Sequence, residues 1–181
     1  MDFIETPLAG AYVIEPRIFR DQRGFFAETY NRRVFEAQGM NYDFVQDNHS
    51  FSRERGVIRG LHFQRPPFTQ AKLVRVVLGR VYDIIVELRR NSVTHGQWFG
   101  LELSQSDMRM LLVPRGFAHG FCTLTEETVV LYRVDAFYAP QADSGIRWDD
   151  PDLAIPWPVE KPVLSDKDQR LPFLREIGDG F

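Results

Sequence analysis

Short runs rich in Val, Ile, Phe and Tyr, each cut off by Gly, Pro, Asn or Asp, follow one another along most of the chain. Such a pattern leaves little room for anything but antiparallel sheet folded into a barrel or sandwich. The clearest runs are Ala11–Glu15, Phe25–Tyr30, Phe44–Phe51, Gly56–Gln64, Lys72–Leu78, Arg80–Leu88, Gln97–Leu103, Arg109–Val113, Phe117–Leu124 and Thr128–Asp135. A helical turn or two around Arg32–Gln38 is the one helix expected before the tail. In Arg80–Leu88 the period of two places Tyr82, Ile84, Val86 and Leu88 on one face and Val81, Asp83, Ile85 and Glu87 on the other, so the second face is either polar inside or partly wet. From Pro140 onward the proline density rises (Pro140, Pro151, Pro156, Pro158, Pro162), which predicts an irregular arm over 140–181 lying on the barrel rather than more sheet.

The chain has 181 residues, 44% of them hydrophobic, which suits one compact domain spanning 1–181. Lys and Arg number 22 against 25 Asp and Glu, for a formal charge of −3, so nothing points to nucleic acid as a bulk partner. The acidic start, broken by Pro7 and Gly10, is unlike a secretion signal, and no apolar run has the length of a membrane span. Cys122 is the single cysteine, so no intrachain disulfide can form, and a reducing cytoplasm is the expected setting.

Histidine is the side chain whose ordinary pKa lies closest to neutrality, and two of the four histidines stand in unusual company. His62 lies in Val-Ile-Arg-Gly-Leu-His-Phe-Gln and His119 in Val-Pro-Arg-Gly-Phe-Ala-His-Gly-Phe. The run Pro114-x-Gly116-x-x-His119 resembles the second motif of the cupin superfamily, whose jelly-roll barrels keep their active sites inside the barrel mouth. Metal-binding cupins supply two histidines and a carboxylate from the first motif, whereas His62 is followed here by Gln64, so the usual ligand set is incomplete and no metal is expected.

A longer resemblance runs from about Arg17 to Asp168. Asp21-Gln-Arg-Gly-Phe-Phe-Ala-Glu28, Gln46-Asp-Asn-His-Ser50, Gly56-Val-Ile-Arg-Gly-Leu-His-Phe-Gln64, Gln70-Ala-Lys-Leu-Val-Arg-Val76, Pro114-Arg-Gly-Phe-Ala-His-Gly-Phe121, Gly145-Ile-Arg-Trp-Asp-Asp-Pro151 and Leu164-Ser-Asp-Lys-Asp168 resemble, in order and spacing, the dTDP-4-dehydrorhamnose 3,5-epimerases. The resemblance implies a cupin-type jelly-roll antiparallel β-barrel with minor short helices. It also implies a cofactor-free reaction on a dTDP-4-keto-6-deoxysugar. The ketone acidifies the hydrogens on the flanking carbons; removing one gives an enolate, and returning a proton to the opposite face inverts the centre. By resemblance His62 is the base, Asp168 accepts a hydrogen bond from its other nitrogen, Tyr132 is the acid on the far face and Lys72 steadies the oxyanion. Arg23, Glu28, Gln46, Asn48, Arg59, His119, Asp143 and Lys167 are implied as nucleotide ligands, with Tyr138 stacking on thymine. Arg59 suits a diphosphate because its planar fork bonds two oxygens at once.

Several positions admit a plainer reading. Strict alternation puts Arg59 and His62 on opposite faces, so an irregularity is expected at Gly60 if both reach a pocket. The family commonly shows Tyr-Lys-Thr-Thr-Asp-Tyr-Tyr where this chain reads Tyr132-Arg-Val-Asp-Ala-Phe-Tyr138, and Asp143 stands where Glu is usual. His119 is either a ligand or a buried core residue, and Asp83 either pairs with it or faces solvent. Asp166 is the alternative to Asp168 as the partner of His62, while His49 and His95 read as structural or exposed. Tyr132 alone would be a packing residue, and an inward Lys72 would be costly without a partner. Cys122 falls on the face opposite His119, which disfavours a Cys/His pair. Inversion of a single centre and a metal-dependent cupin oxygenase or isomerase remain the competing readings. A homodimer is expected, both because exposed strand edges gain from pairing and because the family exchanges its N-terminal strands between subunits, so that Arg23 and Glu28 complete the partner's site.

Overall fold

The computed structural model describes residues 1–178. Its strands are β1 (Asp2–Glu5), β2 (Tyr12–Glu15), β3 (Ile18–Asp21), β4 (Gly24–Ala27), β5 (Gln46–Ser52), β6 (Ile58–Gln64), β7 (Lys72–Leu78), β8 (Arg80–Glu87), β9 (Trp98–Ser104), β10 (Met110–Val113), β11 (Phe117–Thr123), β12 (Thr128–Val134) and β13 (Asp143–Gly145). Two short α-helices, α1 (Arg32–Ala37) and α2 (Asp166–Gln169), accompany them. One sheet runs β1-β2-β10-β7-β12-β5 and the other β13-β6-β11-β8-β9, while β3 and β4 form a separate hairpin. Without β1, β2 and β13 the sheets reduce to β5-β12-β7-β10 and β6-β11-β8-β9, which is the interleaved order of a jelly roll. The strand pairings are antiparallel throughout.

Alternation along the strands divides the apolar residues among three clusters. Val74 and Val76 of β7, Val81 and Ile85 of β8, Leu111 of β10, Phe117 and Phe121 of β11 and Val130 of β12 meet between the two sheets. The outer face of the six-stranded sheet offers Ile14, Leu73, Met110 and Leu112, which are covered by Phe35 and Met40. Phe35 is delivered by α1, a helix started by Asn31, whose side chain accepts from the Arg33 backbone N–H at 3.0 Å. The outer face of the five-stranded sheet offers Leu61, Phe63, Ile84, Val86 and Ala118, and the arm beyond Pro140 lays Ile146, Leu153, Ile155 and Trp157 on it. Full burial of such a side chain stabilises by roughly 1.5–3 kcal/mol, so the arm is part of the folded body rather than an appendage. No helix among the described residues is long and apolar enough to cross a membrane.

The structure adds elements that the sequence pattern does not announce. β1 and β3 are strands in their own right, and the run expected over Phe25–Tyr30 shortens to β4, Gly24–Ala27. Inside the arm, β13 pairs with the edge of β6 through Asp143↔Gln64 and Gly145↔His62, so the arm does contribute sheet. On β8 the ambiguous face is polar inside, since Asp83 and Glu87 are each 0% exposed. Glu87 closes on Arg89 at 2.5 Å, and Arg89 reaches on to the Ala9 carbonyl at 2.7 Å.

The expected irregularity in β6 is present. Its register against β11 slips between the His119 and Phe121 pairings, and Gly60 has φ +132, a conformation open to glycine and strained for other residues. A Cβ on Gly60 would lie 2.5 Å from the Cα of Gly120 and 2.9 Å from the His119 carbonyl oxygen. Gly60→Ala is therefore expected to lower the stability of the folded chain by about 3 kcal/mol or more, read as a fall in the urea midpoint at unchanged slope. A midpoint shift equivalent to less than about 1 kcal/mol would mean that β6 and β11 do not need this close approach.

Candidate functional site

The slip at Gly60 decides what faces the barrel interior. C-terminal to it, Leu61 and Phe63 join the outer cluster, which turns His62 and Gln64 inward. N-terminal to it the alternation is reset, and Arg59 lines the same cavity as His62. That cavity has a volume of about 230 Å³ and also takes in Lys72 of β7, His119 of β11, Tyr132 of β12 and Asp168 of α2. A second compartment of about 320 Å³ shares His62, Lys72, Tyr132 and Lys167 with it and extends along Gln46, Asn48, Gln64, Tyr138 and Asp143. The two form one cleft, deep at the histidines and open toward Tyr138. His62 stands on one sheet and Tyr132 on the other, so the ring and the phenol enter the cleft from opposite walls.

His62 Nε2 lies 2.6 Å from Asp168 Oδ1, with the carboxylate side chain 5% exposed and the imidazole 31% exposed. Asp166 is not the partner; it opens α2, whose first turn is capped by Ser165 accepting from the Asp168 backbone N–H at 3.1 Å. Burial acts to raise the Asp168 carboxyl, but the hydrogen bond and charge of His62, with a Gly60 backbone N–H, outweigh it and hold the group below its ordinary value. A carboxylate so held accepts, so Nε2–H of His62 donates, and the Nδ1 lone pair is left as the basic position of the ring.

His119 repeats the arrangement deeper in the barrel, with Nε2 2.9 and 3.1 Å from the two oxygens of Asp83. Both residues are buried, which settles the open question over Asp83: it pairs with His119 and does not face solvent. His62 and His119 are direct neighbours across β6 and β11, yet each gives its Nε2 to its own carboxylate. Among the described residues no group of three or more His, Cys, Asp and Glu is arranged to hold a metal ion.

Lys72 is 8% exposed, and its Nζ donates to the His62 carbonyl at 3.3 Å. Desolvation lowers its pKa from 10.5 to about 8, against the pull of Asp83 and Asp143 in the other direction. Tyr132 has its pKa raised, chiefly by burial, with the Arg59 guanidinium working against the shift, so its hydroxyl stays protonated at neutral pH. At the open end Asp143 Oδ2 accepts from Lys167 Nζ at 2.5 Å and from the Tyr138 hydroxyl at 3.0 Å. Asp143, though one methylene shorter than the usual Glu, thus reaches both neighbours. Gln46 and Asn48 are joined by a 2.8 Å amide hydrogen bond on the inner face of β5.

Arg23 and Glu28 are not brought to this cleft. Arg23 lies at the turn of the β3–β4 hairpin, its side chain 85% exposed and paired with Asp21, and Glu28 accepts from Asn31. His49 and His95 are exposed. Cys122 is buried, and desolvation pushes its thiol up to about 11, the opposite of an activated nucleophile.

The sequence profile of the family described as dTDP-4-dehydrorhamnose 3,5-epimerase matches residues 5–176. The chain is 49% identical to the dTDP-4-dehydrorhamnose 3,5-epimerase of Methanothermobacter thermautotrophicus, over 96% of this chain and 95% of that one. A crystal structure of the Bacillus anthracis dTDP-4-dehydrorhamnose 3,5-epimerase with TDP and PPi bound is 55% identical and superposes with a TM-score of 0.94, covering 96% of this chain and 99% of that one. The dTDP-6-deoxy-D-glucose-3,5-epimerase of Legionella pneumophila, solved in complex with dTDP-4-keto-L-rhamnose, is 42% identical with a TM-score of 0.93 over 97% of this chain and 94% of that one.

The buried ammonium has a consequence for stability that needs no substrate. Because the folded pKa of Lys72 is lowered to about 8, the fold disfavours the charged form, and the full cost is present below that pH. It fades as pH rises toward the unfolded value of 10.5. Lys72→Met is expected to be more stable than the wild type at pH 7 by on the order of 1–3 kcal/mol, the gap closing above pH 8. Paired urea titrations at pH 7 and pH 10 would show it, and a gap that stays constant with pH would contradict the buried charge.

Proposed function

The chain belongs to the dTDP-4-dehydrorhamnose 3,5-epimerase family, and from that membership we propose how its cleft performs the reaction. The activity is an isomerisation of dTDP-4-keto-6-deoxy-D-glucose to dTDP-4-keto-L-rhamnose by inversion at carbons 3 and 5. His62 takes the proton from a carbon beside the ketone through the nitrogen not bonded to Asp168. The electron pair moves onto the ketone oxygen as an enolate, and Tyr132 returns a proton to the same carbon from the opposite face. Once His62 has released its proton to solvent and Tyr132 has taken one back, the sequence repeats at the other flanking carbon, with no net redox change. The observation that carries this reading is the placement of His62 and Tyr132 on facing sheets, with the buried Lys72 on β7 beside β12 and its ammonium reaching across to the His62 carbonyl. An ammonium held in a largely dry pocket stabilises an oxyanion far better than one in water, and fixed donors of this type commonly supply several kcal/mol. Asp168 holds the His62 ring in one tautomer and offsets the charge that the ring acquires.

The nucleotide lies toward the open end, with Lys167 and, from the adjoining compartment, Arg59 meeting the diphosphate, while Gln46, Asn48 and Asp143 fix the nucleoside and Tyr138 stacks on thymine. His119, held by Asp83, lies at the deep end beside the sugar. Arg23 and Glu28 act in the second subunit of a homodimer. Supporting this, the β3–β4 hairpin pairs only with itself among the described residues and leaves Phe19, Phe25 and Phe26 50%, 57% and 69% exposed, an apolar surface suited to a second copy of the chain.

In deuterated water the wild type is expected to place solvent deuterium at both carbon 3 and carbon 5 of the sugar. His62→Ala should slow exchange at both by about 10²–10⁴-fold, and Tyr132→Phe should retain exchange better than inversion. Deuterium at one carbon alone would instead identify a single-centre epimerase. A rate abolished by chelator and restored by iron or manganese would point to the metal-dependent reading. Sedimentation at micromolar concentration should give a dimer, which Phe26→Asp weakens; a monomeric wild type would remove the basis for a shared site.

A further inference from the structure

Beyond the end of β12 the chain runs through Ala136, Phe137 and Tyr138 with little apolar burial to hold it. Phe137 is 70% exposed and Tyr138 54% exposed, so apolar burial does not fix this segment, although one wall of the cleft is made by it. Its backbone is bound instead by glutamine side chains from the barrel. Gln64, on β6 two residues after His62 and itself 5% exposed, donates from Nε2 to the carbonyls of Phe137 at 3.3 Å and Phe68 at 2.7 Å. Its Oε1 accepts from the Ala139 backbone N–H at 2.7 Å. Gln70 donates to the Ala136 carbonyl at 2.7 Å, and Gln46 accepts from the Tyr138 N–H at 3.1 Å.

We propose that Gln64 is a positioning residue for nucleotide recognition, acting through Tyr138 by clamping the backbone on both sides of it. The inference rests on the reading of Tyr138 as the thymine-stacking wall. The chemistry of the amide makes the role specific to glutamine. Both Nε2 hydrogens meet carbonyls and Oε1 meets an N–H, so a single flat group satisfies two part-buried acceptors and the buried Ala139 donor at once. A carboxylate of the same size would set oxygen against two carbonyl oxygens. A methionine would fill the space and bond to none of them. Both Nε2 hydrogens and the Oε1 of Gln64 are thus bonded to backbone groups, two of them in the wall of the cleft.

The clamp separates binding from chemistry, which supplies the test. Thymidine diphosphate affinity is measured by calorimetry on the full chain for Gln64→Met, Tyr138→Ala and the double variant, with thermal melts to show that each is folded. Tyr138→Ala and Gln64→Met are each expected to weaken binding about tenfold, the scale of one lost base-stacking contact, and the double variant no more than about twofold beyond either single one. For turnover, KM should rise with the loss of affinity while kcat changes less than about threefold, a split that general loosening of the fold would not produce. Gln70→Met, which frees only Ala136, should act in the same direction by about threefold, and it serves if Gln64→Met does not fold. Effects of Gln64→Met and Tyr138→Ala that multiply in full would overturn the clamp while leaving the stacking reading intact. Unchanged affinity in Tyr138→Ala would sink both.

Discussion

Gly60 and Gly120 face one another across β6 and β11 with no space for a side chain on either, and what the cleft contains depends on that contact. A strand that kept strict alternation would show either Arg59 or His62 to the interior. The slip between the His119 and Phe121 pairings lets both point inward while Leu61 and Phe63 still reach the outer cluster. One backbone irregularity thus reconciles a packed outer face with a cation for a diphosphate and an imidazole for proton transfer placed three residues apart.

The interior that results is divided. Between the sheets, Val74, Val76, Val130 and Phe117 make an apolar core, while at the other positions on the inward faces the barrel gathers Lys72, Asp83, His119, His62 and Tyr132. Burying the imidazoles, their carboxylates and the ammonium is tolerable because each of these has a partner. The two imidazoles rest on two carboxylates, and Lys72 on a backbone carbonyl with Asp83 and Asp143 near enough to favour its charge. The pairs are also directional. With the Asp168 carboxylate fixed on Nε2, the neutral ring of His62 has its lone pair on Nδ1, so the barrel sets the tautomer as well as the place of the base.

Much of this is legible in the sequence, and for physical reasons. Lys72–Leu78 is a strand to the residue because its β-branched run ends at Gly79, and the parity conflict between Arg59 and His62 points to Gly60 before any coordinates do. Family blocks mark His62, Lys72 and Asp168, Tyr132 is the family's tyrosine kept in an altered stretch, and the structure brings those four to one cavity. What escapes is made by tertiary pairing. The Asp-Ser-Gly of β13 has no strand character of its own and becomes sheet only because β6 offers a free edge. The acidic β1 is a strand because β2 lies beside it. Whether Asp83 is wet or paired depends on a histidine 36 positions away, and the bonds of Gln64 span as many as 75 residues. Neither leaves a local pattern to read.

The arm that covers the five-stranded sheet carries Lys167 and Asp168 into the cleft after the jelly roll is already complete in sequence. During synthesis the ribosome delivers His62 more than a hundred residues before the carboxylate that orients it. A nascent chain halted after β12 would hold the imidazole and the phenol without that anchor, and with one sheet face bare to water. Competence therefore arrives with the wrapping of the outer layer, and the same event that shields Leu61 and Phe63 from aggregation also arms the histidine between them.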